Sequence, residues 1–150
     1  MLIGHQKILS FLQNAAESGS LAHAYCLVGP NQVGKRTLAR QFAASLLKVS
    51  EEKLDSHPDF FYLERAEDEK TGKLKKDIII SQSRDLRARL QSRSWLNGYR
   101  VSIIDEAELL NGASGNALLK ILEEPPEKSV LFLLTENDQV IQISDAFHEE

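Results

Sequence analysis

A single cysteine, Cys26, is the whole thiol content of these 150 residues. No intrachain disulfide can form, so the fold must rest on a packed core, and a reducing, cytoplasmic setting is expected. No apolar run is long enough to cross a bilayer, and the opening MLIGHQKILSFLQ lacks the basic-then-apolar layout of a secretory signal. No membrane partner is expected. Positive charge is also short: 18 Lys and Arg against 22 Asp and Glu leave a formal net charge of −4. That balance argues against a non-specific nucleic-acid binder, while a local basic patch stays open. His57 has no companion Cys or His at ligand spacing, so no zinc site is expected. Internal repeats and low-complexity tracts are absent. The remaining composition, 42% hydrophobic and 27% charged, is that of one globular domain with a real core.

The chain is organised around AYCLVGPNQVGKRTLARQFAASLL, from Ala24 to Leu47. Ala24 to Val28 is a short apolar run that ends at Gly29-Pro30, the pattern of a buried strand. Leu38, Phe42 and Leu46 recur at helical spacing, the pattern of a helix laid on a sheet. Between them Gly29, Pro30, Asn31, Gln32, Val33, Gly34 and Lys35 spell G-x-x-x-x-G-K, a phosphate loop in its strand-then-helix context. Glycines let successive backbone N–H groups point at phosphate oxygens, and the helix N-terminus adds partial positive charge. Lys35 is placed to reach the β- and γ-phosphates of ATP or ADP. The next position should carry a Ser or Thr hydroxyl for Mg²⁺, but Arg36 stands there. Thr37 follows, yet one helical step turns a side chain by about 100°, so it is no simple replacement. The loop should cradle phosphates and hold the metal weakly.

Ahead of the loop, Ile3, Ile8, Leu9, Phe11, Leu12 and Ala16 give an amphipathic helix from about residue 4, stopping near Ser18-Gly19-Ser20. Beyond the loop helix, residues 48–55 read as a polar connection, and His57-Pro58-Asp59 as a turn before the strand Phe60 to Leu63. The charge-dense residues 65–77 read as a hairpin tip or an excursion from the sheet, in the region 62–80, and Ile78 to Ile80 as a further strand. A helix capped by Ser81 carries Arg84, Arg87, Arg89 and Arg93 on one face, either solvated or turned to DNA phosphates or an acidic partner.

The second site is Arg100-Val101-Ser102-Ile103-Ile104-Asp105-Glu106, an apolar strand that delivers two carboxylates to the carboxyl edge of a parallel sheet. Asp105 would hold Mg²⁺, weakly here, and Glu106, if the site is active, would polarise the attacking water. The bland alternative is an acidic helix start. A helix over 114–124 closed by Pro125-Pro126 follows, then the strand Val130 to Leu134 and Thr135-Glu136-Asn137. Thr135 or Asn137 would sit beside a γ-phosphate, or simply cap the strand end. Strands alternating with amphipathic helices predict an α/β fold with a parallel, doubly wound sheet.

The ordered segments GPNQVGKRTLARQFA, HPDF, VSIIDEAELLN and NALLKILEEPPEKSVLFLLTEN resemble the AAA+ module of bacterial DNA polymerase III clamp-loader subunits, from Gly4 to about Asn137. The run Asn116 to Pro126 is the most specific, because the nucleotide motifs alone occur in many ATPases. The resemblance implies a three-layer P-loop NTPase fold and a place in a pentameric ring that opens a sliding clamp on primed DNA. It implies contact with other clamp-loader subunits, the clamp and primer-template DNA, with Ser114 to Asn116 facing the DNA. Lys35 matches the loop lysine, Asp105 and Glu106 the acidic pair, and Thr135 or Asn137 the sensor region. Three departures stand out. Arg36 replaces the metal hydroxyl, as in the delta-prime-like branch, whose members are poor ATPases. The zinc-module cysteines ahead of His57-Pro58-Asp59 are missing. No arginine follows Arg100, so Gln142 to Phe147 lacks the family's Ser-Arg-Cys finger. Lid and collar domains are not matched, so the resemblance implies an N-terminal piece. It favours a delta-prime-like assembly module over its alternative, a gamma/tau-type ATPase.

Overall fold

The computed structural model describes residues 6–29, 34–64, 70–73, 88, 98–109, 116, 120, 123 and 128–136. Helix α1 (Gln6–Ser18) is followed by strand β1 (Ala24–Val28), helix α2 (Lys35–Leu47), a 3-10 turn (Glu51–Ser56) and strand β2 (Phe60–Leu63). Strand β3 (Arg100–Ile104), a second 3-10 turn (Ala107–Leu109) and strand β4 (Ser129–Thr135) complete the described elements.

The four strands form one parallel sheet in the order β1-β4-β3-β2. β4 therefore lies between the strand that leads into the phosphate loop and the strand that ends in Asp105. In register, Val28 is opposite Thr135, Ile104 opposite Leu133, and Leu63 opposite Ile104. All four carboxyl ends thus arrive at one edge of the sheet, where ligands of open α/β folds bind.

Every residue of β3 and β4 is buried. Side chains alternate across a strand, so burial of both sets means that both faces of the two central strands are covered. This is why β4 is a continuous apolar run from Val130 to Leu134 and β3 is apolar at Val101, Ile103 and Ile104 rather than strictly alternating. On one face Val101, Ile103, Val130, Phe132 and Leu134 join Leu12 of α1 and Ala39, Phe42 and Ala43 of α2 in the main core. The alanines let α2 approach closely, and the Phe42 ring meets Phe132 edge-on at 5.8 Å between centroids. Burial of such a phenyl group removes it from water at a gain of about 2–3 kcal/mol.

The helix ends follow their sequence signals. Gly19 closes α1 at φ 74°, with Ser20 N–H donating to the Ala15 carbonyl at 2.9 Å. Residues 48–55, read as a plain polar connection, overlap the Glu51–Ser56 turn, and its Leu54 is fully buried in the core. Two apolar residues five positions apart, Val49 and Leu54, set no helical or strand period, so the sequence carried no sign of it. The acidic start at Asp105-Glu106 leads into the Ala107–Leu109 3-10 turn.

The expected hairpin at 65–77, the Ile78–Ile80 strand, the arginine-bearing helix and the helix over 114–124 lie largely or wholly outside the described residues. Within those stretches Ala88, Asn116, Lys120 and Glu123 are helical, and Lys70-Thr71 forms a turn. No helix among the described residues is long and apolar enough to cross a membrane.

Candidate functional site

Gly34 adopts φ 84°, ψ 21° immediately before α2, a left-handed backbone that a side chain would strain. Its carbonyl accepts the first bond of the helix, from Leu38 N–H at 2.9 Å. Lys35 is therefore the first residue of the helix, and its Nζ folds back to donate to the Gly29 carbonyl at the other end of the loop. Gly29 N–H in turn donates to the Thr135 carbonyl at 3.1 Å, fixing the start of the loop to the end of β4. Thr135 itself is buried at the sheet edge. Thr37 is exposed on α2. Asn31, Gln32, Val33 and Asn137 lie outside the described residues.

The carboxyl edge holds a cluster that spans three elements. Arg36, the second residue of α2, donates from Nη2 to Asp105 Oδ2 at 2.6 Å and from Nε to the same oxygen at 3.2 Å. Tyr62, near the end of β2, donates its hydroxyl to Asp105 Oδ2 at 2.5 Å. The Arg36 guanidinium also lies over the Tyr62 ring, 5.1 Å from its centroid. Glu106 N–H donates to Asp105 Oδ1 at 2.9 Å, from a backbone at φ 50°. Glu64, the residue after β2, approaches Arg36 at 3.7 Å.

The electrostatics follow from these contacts. Burial pushes the Asp105 carboxyl upward, but the hydrogen bonds from Tyr62 and Arg36 outweigh it and hold the group below its usual range. The hydrogen bond to Asp105 raises Arg36 further. Burial, together with the bond to Asp105, drives the Tyr62 phenol well above its ordinary value. The cluster is thus a guanidinium, a carboxylate and a neutral phenol across the working pH range.

Mg²⁺ is the ion that phosphate loops of this kind use, and the residues here do not fit it. The hydroxyl position is Arg36. A carboxylate offers about four lone-pair sites, and Asp105 meets two donors from Arg36, one from Tyr62 and one from Glu106. Three of these donors converge on Oδ2, so the oxygen that faces Arg36 has no lone pair left for a metal, while Oδ1 accepts only the Glu106 amide. Where the sequence suggests weak Mg²⁺ at Asp105, the carboxylate forms an ion pair with Arg36. At the other candidate, His57 Nδ1 accepts the Asp59 N–H at 3.0 Å, the local bond of a turn. Among the described residues no three His, Cys, Asp or Glu side chains gather as metal ligands do.

Tyr62 and Glu64 were not legible as site residues. The sequence places them in and just after an apolar strand, and the parallel pairing of β2 with β3 brings Tyr62 to Asp105 and Glu64 to Arg36.

A parallel sheet with the G-x-x-x-x-G-K sequence between β1 and α2, and an acidic strand end two strands away, has the fold of a P-loop module of the AAA+ type. Solved structures carry the same fold. A gamma subunit-related protein of DNA polymerase III from Thermotoga maritima matches with a TM-score of 0.69 at 22% identity, over 88% of this chain and 40% of that one. The RuvB Holliday junction branch migration motor of the same organism matches with a TM-score of 0.61 at 22% identity, over 98% and 42%. Identities this low speak for fold alone.

Sequence comparison goes further. The model of the family described as DNA polymerase III, delta subunit, matches residues 4–143, and the chain belongs to that family. The delta′ subunit of DNA polymerase III from Pseudomonas aeruginosa is 39% identical over 128 residues, covering 76% of this chain and 37% of that protein. The tau subunit from Bacillus subtilis is 30% identical over 152 residues, covering 95% and 26%. The chain thus spans between about a quarter and two fifths of the length of these relatives.

Proposed function

We propose that this chain is the nucleotide-fold module of a delta-prime-like subunit of the DNA polymerase III clamp loader, an assembly component with weak or no ATP hydrolysis of its own. The observation that carries the reading is Arg36, which occupies the metal-hydroxyl position and is hydrogen-bonded to Asp105. Phosphoryl transfer to water needs Mg²⁺ across the β- and γ-phosphates, and this pair removes both of its protein anchors. Family membership and the delta′ relative support the place in replication. The intact loop from Gly29 to Lys35 supports binding of ATP or ADP. Partners would be the other clamp-loader subunits and, through them, the sliding clamp and primer-template DNA in the cytoplasm.

A gamma/tau-type ATPase remains the second reading, favoured by Glu106 and by the match to tau over most of the chain. Reconstitution separates the two. The chain, mixed with delta and gamma/tau subunits from one bacterium, is expected to enter the complex on a sizing column while showing background ATP turnover alone. Steady Mg²⁺-dependent turnover by the chain alone would make it the ATPase, and failure to enter the complex would end the assembly reading.

A further inference from the structure

The cluster at the carboxyl edge does more than block a metal. Arg36 brings a permanent positive charge to the place where a divalent cation would otherwise stand, on the residue adjacent to Lys35. Its Nε and Nη2 are committed to Asp105, while Nη1 makes no hydrogen bond to a described residue and the side chain is 58% exposed. A planar guanidinium can grip a carboxylate along one edge and offer its remaining donors to phosphate oxygens. Tyr62 touches both members of the pair: its ring lies beneath the guanidinium and its hydroxyl meets the carboxylate.

We propose that the Arg36–Asp105 pair, held in place by Tyr62, serves as a built-in cation in the phosphate site, so that a nucleoside di- or triphosphate binds here without Mg²⁺. The inference rests on the nucleotide-binding part of the proposed function and assigns Tyr62 as a positioning residue. Exposed ion pairs are ordinarily worth little because each side chain must be immobilised afresh. Here two donors converge on one oxygen from α2, the phenol fixes that oxygen from β2, and the Glu106 amide fixes the other. The carboxylate is presented in one orientation by three elements of the fold. Competition with Mg²⁺ is then unequal, because the metal would have to displace a tethered cation and reorganise the phenol.

The test is the ratio of ADP affinities measured calorimetrically in Mg²⁺ and in EDTA, on the chain and on Arg36→Thr and Tyr62→Phe. For the unaltered chain the two affinities should agree within about twofold. Arg36→Thr restores a hydroxyl and frees Asp105, and should favour Mg²⁺ by about tenfold or more. Tyr62→Phe should fall between them, because the pair survives but its carboxylate can turn. A loss of packing alone would lower both affinities together and leave the ratio unmoved. The inference is overturned if the unaltered chain binds ADP tenfold better with Mg²⁺, if neither variant changes the ratio, or if ADP does not bind at all. Assembly into the clamp loader is read on a separate column experiment, so failure of that reading leaves the ratio standing, and the reverse.

Discussion

Arg36 Nη2 lies 2.6 Å from Asp105 Oδ2, which ties the first turn of α2 to the end of β3 across the intervening strand β4. The bond closes the top of the sheet. It also joins the two motifs that, in the sequence, stand apart as a phosphate loop with a misplaced arginine and an acidic strand end with nothing to hold.

The tie should be sensitive to acid. Asp105 is held below its usual carboxylate range, so its contribution to stability is complete above the unfolded value of about 4 and is lost as pH falls through the lower folded value. Tyr62, raised in the fold, has the opposite sign: its contribution is complete below about pH 10 and is lost as pH rises through its higher folded value. Urea midpoints taken across pH should show Asp105→Asn less stable than the unaltered chain at neutral pH, the two converging in acid. Parallel curves at all pH values would remove the Arg36–Asp105 pair as a stabilising contact.

Lys35→Ala should separate binding from folding. Its Nζ donates to the Gly29 carbonyl at a half-buried site, and loss of that charged donor should cost about 1–3 kcal/mol while leaving the fold intact. ADP affinity should fall by about tenfold or more, because a charged donor to phosphate is gone. Equal affinity in the variant would mean that the loop lysine does not reach the nucleotide.

Asp59 and Arg100 form a buried pair at the base of β2 and β3, with Asp59 Oδ1 3.7 Å from Arg100 Nε and side chains 2% and 6% exposed. Asp59→Asn leaves the guanidinium buried without this counter-charge, and should cost about 3 kcal/mol or more in a denaturant titration. A cost below about 1 kcal/mol would show that water reaches the pair.

Ser102 offers the reverse case. Its Oγ is buried in the middle of β3 with no hydrogen-bond partner among the described residues. Removing a desolvated hydroxyl that bonds to nothing relieves its penalty, so Ser102→Ala should be neutral or stabilising by about 1 kcal/mol. Clear destabilisation would reveal a partner for the hydroxyl.

Much of the frame was legible in the residues. β1 and α2 fall where the apolar run, the glycines and the 3.6-residue period place them, from Ala24 to Val28 and from Lys35 to Leu47. β4 is a continuous apolar run from Val130 to Leu134 and β3 ends in Ile103-Ile104, and burial on both faces explains why. The substitution at Arg36 was also visible, but not its partner. A guanidinium can bridge to phosphate, to carboxylate or to solvent, and the choice depends on which strand ends converge with the helix start. The strand order β1-β4-β3-β2 decides it, and no local pattern encodes that order. Tyr62 was hidden for the same reason.

The pairing of Ala24 with Leu131 has a consequence for how the chain comes to be folded. β1 leaves the ribosome early, yet its described neighbour in the sheet is the last of the four strands to be made. Until that strand emerges, β1 lacks its described neighbour in the sheet, whereas β3 can already pair with β2. Long-range parallel pairing of this kind is slow to nucleate and leaves strand edges open meanwhile. The phosphate loop, first of the functional motifs in the sequence, is therefore among the last to reach its working geometry.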